Sequence, residues 1–242
     1  MISPENLNAM SHPKRLVLFD LDHTLLPLDS DYQWADFLAR TGRAGDPAEA
    51  QRQNEELMER YNRGELTAEQ SAEFMLGLLA RATLPDLALW HEVFMAEVIR
   101  PAIRENAIDL VQQHTTGGDL CAVVTATNDF VTAPIARAFG IPHLIATVAE
   151  MRDGRYTGRI EGVPSFQAGK IVRVDAWLDG MGLTRDDFEE TWFYSDSPND
   201  LPLLEVVSHP VATNPSPKLR EIAQSRGWQI LDLFLELQDA KS

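Results

Sequence analysis

The sequence predicts an α/β protein: a doubly wound, mostly parallel sheet carrying a small all-helical insertion after its first strand. Three observations predict it. The run Leu16, Val17, Leu18, Phe19 has no polar interruption, which suits a strand covered on both faces. Helical signals then persist from about Ser30 to Arg100. Beyond Pro101, apolar strand-like runs alternate with helical segments, the pattern of parallel strands joined by crossover helices.

Each element has its local reason. Ser30 with Gln33 three residues later forms a capping-box signature, and Trp34, Phe37 and Leu38 follow on one face before Gly42. Asp46 and Pro47 start a second helix that ends near Gly64. Thr67 with Gln70 is another capping box, opening a helix that buries Phe74, Leu78 and Leu79. A fourth helix carries Trp90, Phe94 and Val98 and is expected to stop at Arg100 and Pro101. "LCAVVTATND" then reads as a buried strand, followed by a helix with Ile135, Ala136 and Phe139 that Gly140 ends. "HLIATVAE" is the next strand, and "MRDGRYTGRIEG" a hairpin turning at Asp153–Gly154. A helix with Ile171, Val174 and Trp177 precedes the strand "TWFYSD", a short strand near "PVATN", and a last strand at Ile230 and Leu231. The expected division is a core of residues 1–29 and 101–242 with a cap of residues 30–100.

Composition narrows the function. A chain of 242 residues, 44% hydrophobic and 24% charged, is long enough for a core domain with a smaller inserted one. Its net charge of −16, with no Lys/Arg-rich run, repels polyanions and excludes nucleic acid as a partner. A small anionic substrate is compatible, because a bound divalent cation and one lysine reverse the potential within a single cleft. Cys121 is the one cysteine, so no intramolecular disulfide forms, and "DLCAVV" marks it as a buried strand residue. No apolar stretch approaches the ~20 residues needed to span a bilayer, and residues 1–11 lack the apolar centre of a signal peptide. The expected setting is the cytoplasm, with no membrane partner.

In a doubly wound sheet, ligands bind beyond the carboxyl ends of the strands. The residues there form one set: Asp20 and Asp22, then Thr125 and Asn128, then Ser195, Asp196, Asn199 and Asp200, with Lys170 opening the intervening helix. Positions two apart in extended chain point the same way, so Asp20 and Asp22 repel unless a cation or shared proton intervenes. That pairing implies a metal or acid/base site. Taken singly, each residue has a plainer reading as a turn residue, a helix cap or a surface lysine.

"DLDHT", Thr125, Lys170 and "DSPND" resemble, in order, the four motifs of the haloacid dehalogenase-like phosphatases, and the helical insertion resembles the small cap of their phosphoserine-phosphatase branch. The resemblance covers nearly the whole chain and implies a Rossmann-like core. It implies Asp20 as the nucleophile that forms an aspartyl-phosphate, and Asp22 as the acid and base that serves leaving group and water. It further implies Mg²⁺ held by Asp20, the backbone carbonyl of Asp22 and Asp196, with Thr125 and Lys170 on the phosphoryl oxygens. Asn128, Asn199 and Asp29 complete the expected substrate-binding set, with Thr24 and Asp200 in support. The second carboxylate, Asp22, argues for phosphate esters over carbon–halogen bonds.

Phosphoserine phosphatases use a glutamate after the first motif for the substrate amine and a cap arginine past an "EQS"-like run for its carboxylate. Asp29 stands in the first place here. "EQS" is present at Glu69, Gln70 and Ser71, but Met75 aligns with the arginine, and Arg63 serves only under a shifted alignment. A small phosphorylated metabolite with an amine and no carboxylate is therefore expected, histidinol phosphate foremost and phosphoserine as the alternative. Trp34, Tyr32 and Tyr61 could stack on a ring, although core packing is the plainer reading. His23 reads as local support, and His114 and His209 as surface or turn residues. Receiver domains, non-enzymatic switches, also place an acidic Mg²⁺ pocket, a Thr and a Lys around a phosphorylatable aspartate, but they lack the helical insertion. A catalytically idle metal-binding relative is a third reading, against which the intact Asp20 and Asp22 count.

Overall fold

The computed structural model describes residues 14–234 other than Gly64 and Leu66. Its strands are β1 (Arg15–Phe19), β2 (Leu120–Asn128), β3 (His143–Arg152), β4 (Arg155–Glu161), β5 (Glu190–Ser195), β6 (His209–Thr213) and β7 (Gln229–Leu231). They form one sheet in the order β4-β3-β2-β1-β5-β6-β7. Every pair is parallel except the β3–β4 hairpin. The chain builds outward from β1 to β2 and β3, then crosses to the other side for β5, β6 and β7, so the strand order reverses at β1.

The alternation along β1 explains its apolar run. Val17 and Phe19 join a core on one face of the sheet, while Leu16 and Leu18 join a core with Val174, Leu178 and Phe193 on the other. Arg15 at the start of β1 is exposed, whereas these four residues of β1 are fully buried. A polar substitution at any of them would desolvate a group with no strand edge to bond it.

The segment after β1 is helical: α1 (Ser30–Arg40), α2 (Pro47–Asn62), α3 (Ala68–Leu79) and α4 (Leu84–Phe94). The expected capping box at Thr67 and Gln70 is present in both directions. At α1 the cap differs from the expected Ser30: Asp29 is the N-cap and accepts from Tyr32 N at 2.8 Å. The physical reason is that the Ser30 backbone N–H is committed to Asp22 Oδ1 at 2.9 Å, which draws the chain in by one residue. Helix α4 also runs past its expected end at Arg100. It continues through a π turn at Met95–Ile99 into α5 (Arg100–Ala102). Pro101 cannot donate to the carbonyl four residues back and its ring would strike it, so the wider turn carries the helix through.

Trp34 is fully buried, with ring centroids 5.2–5.7 Å from Phe37, His91, Phe94 and Phe130. It is core packing, not a ligand-stacking ring. Met75 is likewise buried in the core that joins the helical segment to the sheet. The side chains of Tyr61 and Glu69 lie outside the described residues. Cys121 is buried in β2, and burial pushes its thiol up to about 12. His114 departs from its expected surface position. It is buried in α6 (Glu105–Thr116) between Asp119, 2.8 Å from Nδ1, and the Tyr194 hydroxyl, 2.8 Å from Nε2. His209 is half-buried and stacks on Trp192 at 4.3 Å.

The remaining helices are α7 (Asp129–Ala138), α8 (Ala168–Asp179), the short α9 (Leu201–Leu204) and α10 (Pro217–Arg226). The β3–β4 turn is the expected Asp153–Gly154, both residues at positive φ. Among the described residues no helix is long and apolar enough to cross a membrane.

Candidate active site

The carboxyl ends of β1, β2 and β5 converge on one cleft of about 620 Å³, lined by Asp20, Asp22, Asp29, Thr125, Lys170, Asp196, Asn199 and Asp200 among others. Asp20 follows β1 directly, and its N–H continues the ladder to Tyr194 O at 2.9 Å. The chain then turns back at His23, whose φ of 58° lies in the left-handed region that non-glycine residues seldom adopt. Asn214 fastens the turn by donating to the carbonyls of His23 and Thr24, each at 3.1 Å.

Asp20 is held by two donors. Lys170 Nζ donates to Oδ1 at 2.8 Å and Thr24 Oγ1 to Oδ2 at 3.2 Å. Lys170 is 2% exposed and also donates to Asp200 Oδ2 at 2.7 Å. Its position at the start of α8 depends on Gly169, where a Cβ would lie 2.2 Å from Pro164 O. The Thr24 hydroxyl accepts in turn from Asp196 N at 3.1 Å. The Ser195 hydroxyl donates to Asp200 at 2.7 Å and accepts from Ser197 N at 3.2 Å.

Asp22 is fixed independently. Its Oδ1 accepts from Ser30 N and its Oδ2 from Thr127 Oγ1, at 2.9 and 2.8 Å. Thr127 was not among the residues expected from sequence. The signal for it was its place two residues after Thr125 at the end of β2, and Thr127 N in fact donates to Thr125 Oγ1 at 3.2 Å. Asn128 does not line the cleft. Its side chain caps α7 through Val131 N and donates to Asp31 Oδ1 at 2.9 Å. Asp29 reaches the cleft wall while capping α1, and Asn199 is exposed at the rim. Arg63 is exposed and paired with Glu59 and Glu65.

Burial and mutual repulsion shape the titration of these groups. Burial pushes Asp20 up to about 6, with Lys170 pulling down and Asp200 pushing up. It leaves Asp20 ionised at neutral pH, as a nucleophile must be. Asp22 is pushed up to about 7, by burial and then by Asp29, which suits a group that must both give and take a proton. Asp196 is pushed up to about 8, by burial and then by Asp20 and Asp200. Burial works against the charge on Lys170, but Asp20 and Asp200 outweigh it and raise its pKa.

Lys170 pairs with Asp20 and Asp200, and Asp196 stands beside them with no ion pair of its own among the described residues. Among the described residues no three His, Cys, Asp or Glu side chains form a cage. Two carboxylates and a backbone carbonyl nevertheless match a small hard cation that keeps water and takes substrate phosphate as its remaining ligands. The donor set thus fits a divalent metal of the magnesium kind.

Comparison with known proteins agrees with this geometry. Residues 17–205 match the model of the haloacid dehalogenase-like hydrolases. A histidinol-phosphatase of Neisseria meningitidis is 44% identical over 220 residues, which is 90% of this chain and 99% of that protein. A solved structure of a protein of unknown function from Bordetella pertussis is 72% identical, with a TM-score of 0.91 over 92% of this chain and all of that one. A substrate-bound phosphoserine phosphatase shares the fold at 19% identity, with a TM-score of 0.63 over 91% of this chain and 93% of that one. The chain therefore belongs to the haloacid dehalogenase-like hydrolases and is a phosphatase of that family.

Proposed function

We propose that the chain hydrolyses a small phosphate monoester whose leaving group carries a cationic nitrogen and no carboxylate, histidinol phosphate being the best fit. The observation that carries this reading is the cleft itself. Asp20, held by Lys170 and Thr24, and Asp22, held by Ser30 and Thr127, share it with a wall that holds no arginine among the described residues.

An Asp20 carboxylate oxygen attacks phosphorus in line with the departing ester oxygen, and Asp22 gives its proton to the leaving alkoxide. Asp22 then takes a proton from the water that attacks the aspartyl-phosphate, restoring Asp20 and releasing phosphate. Lys170 and Thr125 bear on the phosphoryl oxygens, where charge spreads during transfer. Asp20, the Asp22 carbonyl and Asp196 would hold Mg²⁺, which would supply the positive charge that lets a carboxylate approach a phosphate dianion. Residues 30–100 form the cap over a core of residues 1–29 and 101–242, and bring Tyr32, Gln33 and Met58 to the cleft.

The substrate follows from charge. Among the described residues that line the cleft Lys170 is the one Lys or Arg, and it is engaged by Asp20 and Asp200. A substrate carboxylate would enter an acidic cleft without a guanidinium to receive it. Met75, aligned with the arginine of the phosphoserine enzymes, is buried away from the cleft. The neighbouring acid Asp29 favours an ammonium or imidazolium. A cytoplasmic setting belongs to this proposal, since a phosphorylated metabolite would be met there.

The test is phosphate release from histidinol phosphate, phosphoserine and simple alkyl phosphates with Mg²⁺ or EDTA, with Asp20→Asn alongside. Release from histidinol phosphate at least tenfold faster than from phosphoserine, lost with EDTA and with Asp20→Asn, is expected. Equal rates on the two substrates would refute the substrate assignment. A phosphate retained on Asp20 without turnover would refute the hydrolase and favour a switch.

A further inference from the structure

Every described Phe, Tyr and Trp side chain packs into one of the two cores except two, Tyr32 and Phe166. Both are half-buried, and both line the cleft that holds Asp20 and Asp22. Aromatic side chains ordinarily spend their large area in a core. Two that stand apart from both cores, in one cleft, leave apolar faces for something else to cover. Aromatic rings with a few placed polar groups are the usual lining of a site for a small organic ligand.

The backbone holds each ring in place. Tyr32 lies in the first turn of α1, in the cap. Its N–H donates to Asp29 Oδ1 at 2.8 Å, and its carbonyl accepts from Nδ2 of the buried Asn54 at 3.4 Å. One turn of the cap thus carries both a ring and a carboxylate. Phe166 belongs to the core, four residues before Lys170. On one side of it Ser165 is fully buried, its N–H donating to Thr147 Oγ1 at 3.1 Å and its hydroxyl to Ile145 O at 3.3 Å. On the other side Gln167 has a φ of 49°, and Gly169 N closes the turn by donating to Phe166 O at 2.9 Å. A non-glycine residue at positive φ persists where its surroundings fix it, commonly beside a ligand. Phe166 is therefore held by a fixed backbone although its ring packs on neither core.

We propose that Tyr32 and Phe166 are specificity-determining residues that receive the leaving group of the ester, which is a flat nitrogen heterocycle such as an imidazole. The inference rests on the phosphatase reading and narrows its substrate class from a cationic nitrogen to a ring that carries one. Aromatic faces favour a flat partner, and more so a cationic one. Asp29, on the same turn as Tyr32, supplies the opposite charge. A simple chain amine would satisfy Asp29 and leave both rings against water. Because one ring comes from the cap and the other from the core, a ring-bearing ester is held by both parts together.

The experiment uses full-length protein with Mg²⁺ and two esters: histidinol phosphate, which has a ring and an amine, and ethanolamine phosphate, which has an amine and no ring. Tyr32→Leu and Phe166→Leu each remove a ring and keep an apolar side chain, whereas Tyr32→Phe keeps the ring. The ratio of kcat/KM on the first ester to that on the second should fall about three- to tenfold in each leucine variant, chiefly through KM, and stay within about twofold of the parent in Tyr32→Phe. An unchanged ratio would overturn the proposal, because a general loss of folding or catalysis lowers both rates alike. A second measurement needs no turnover: calorimetric binding of the two esters to Asp20→Asn, with and without both leucine substitutions. Histidinol phosphate should bind about tenfold more tightly than ethanolamine phosphate, and the preference should vanish when both rings are removed. Equal binding of the two esters to Asp20→Asn would overturn the proposal. A ring preference in binding, with no phosphate released from any ester by the parent, would refute the phosphatase reading alone.

Discussion

Replacing Lys170 by Met tests the electrostatic centre of the cleft while nearly preserving volume. Lys170 is 2% exposed, and its two acceptors, Asp20 and Asp200, have side chains 10% and 5% exposed. Without the ammonium, each of these carboxylates keeps one hydroxyl donor, Thr24 for Asp20 and Ser195 for Asp200. Removing one partner of a buried ion pair costs about 3–5 kcal/mol. In EDTA at pH 7.5, Lys170→Met should therefore unfold at a urea midpoint lower by about 1 M or more. The charge origin of this loss has its own signature. Removing the cation takes away the influence that lowers the Asp20 pKa, so the folded-state value rises from about 6. A raised folded-state pKa gives stability that returns as pH falls, because the folded chain takes up a proton before the unfolded one does. Moving from pH 7.5 to 5.5 should thus recover about 1–2 kcal/mol more in the variant than in the parent. Turnover should fall about 10²–10³-fold, the usual cost of a lost electrostatic stabiliser. A pH-independent stability deficit would mean that Lys170 acts through packing alone. An unchanged midpoint would refute the buried bridge altogether.

Two further predictions concern the same residues. Burial holds Asp20 at about 6 and Asp196 at about 8, above the ~3.9 of a free aspartate; the stability these groups contribute is full below the unfolded value and lost as pH rises through 6 and 8. Thermal melts in EDTA should accordingly fall between pH 5.5 and 8.5, and the increment from Mg²⁺ should grow over that range; a constant increment would place the cation elsewhere. Gly169→Ala puts a Cβ 2.2 Å from Pro164 O, which requires backbone movement worth about 1–3 kcal/mol; it should lower both the melting temperature and kcat by displacing Lys170, and a variant of normal stability and activity would show that α8 shifts freely.

Much of the fold was legible because two-sided burial leaves a direct mark. The unbroken run at Leu16–Phe19 could only be a strand with a core on each face, and Val17 and Leu18 do face opposite cores. The Asp153–Gly154 hairpin and the Thr67–Gln70 cap were legible for local reasons, since a few neighbouring residues satisfy them. What was missed depends on contacts distant in sequence. Ser30 had the right composition for an N-cap, yet its N–H is drawn to Asp22, eight residues back, and the cap falls to Asp29. His114 read as a surface or turn residue, and only the pairing of β1 with β5 brings the Tyr194 hydroxyl to it. In the cleft, Asp20, Asp22, Lys170, Asp196 and Asp200 were legible as polar residues after apolar strands or opening a helix. Thr127 was not, because a threonine two residues after Thr125 is ordinary until its hydroxyl is seen on Asp22.

Three hydroxyls explain how a chain of net charge −16 gathers so many carboxylates in one place. Thr24 donates to Asp20 and accepts from Asp196 N. Ser195 donates to Asp200 and accepts from Ser197 N. Thr127 donates to Asp22. Each passes a single proton in one direction, toward a carboxylate, and the first two are themselves oriented by a backbone N–H. Such bonds fix the direction of a carboxylate without cancelling its charge, whereas a lysine or arginine at each position would neutralise the acids. Lys170 is the exception, and it neutralises at the nucleophile, where a phosphate dianion must approach. Asp22 and Asp196, left without an ammonium, have separate uses: Asp22 lies near the value needed to exchange a proton at neutral pH, and Asp196, just after β5, offers an oxygen donor suited to a hard cation.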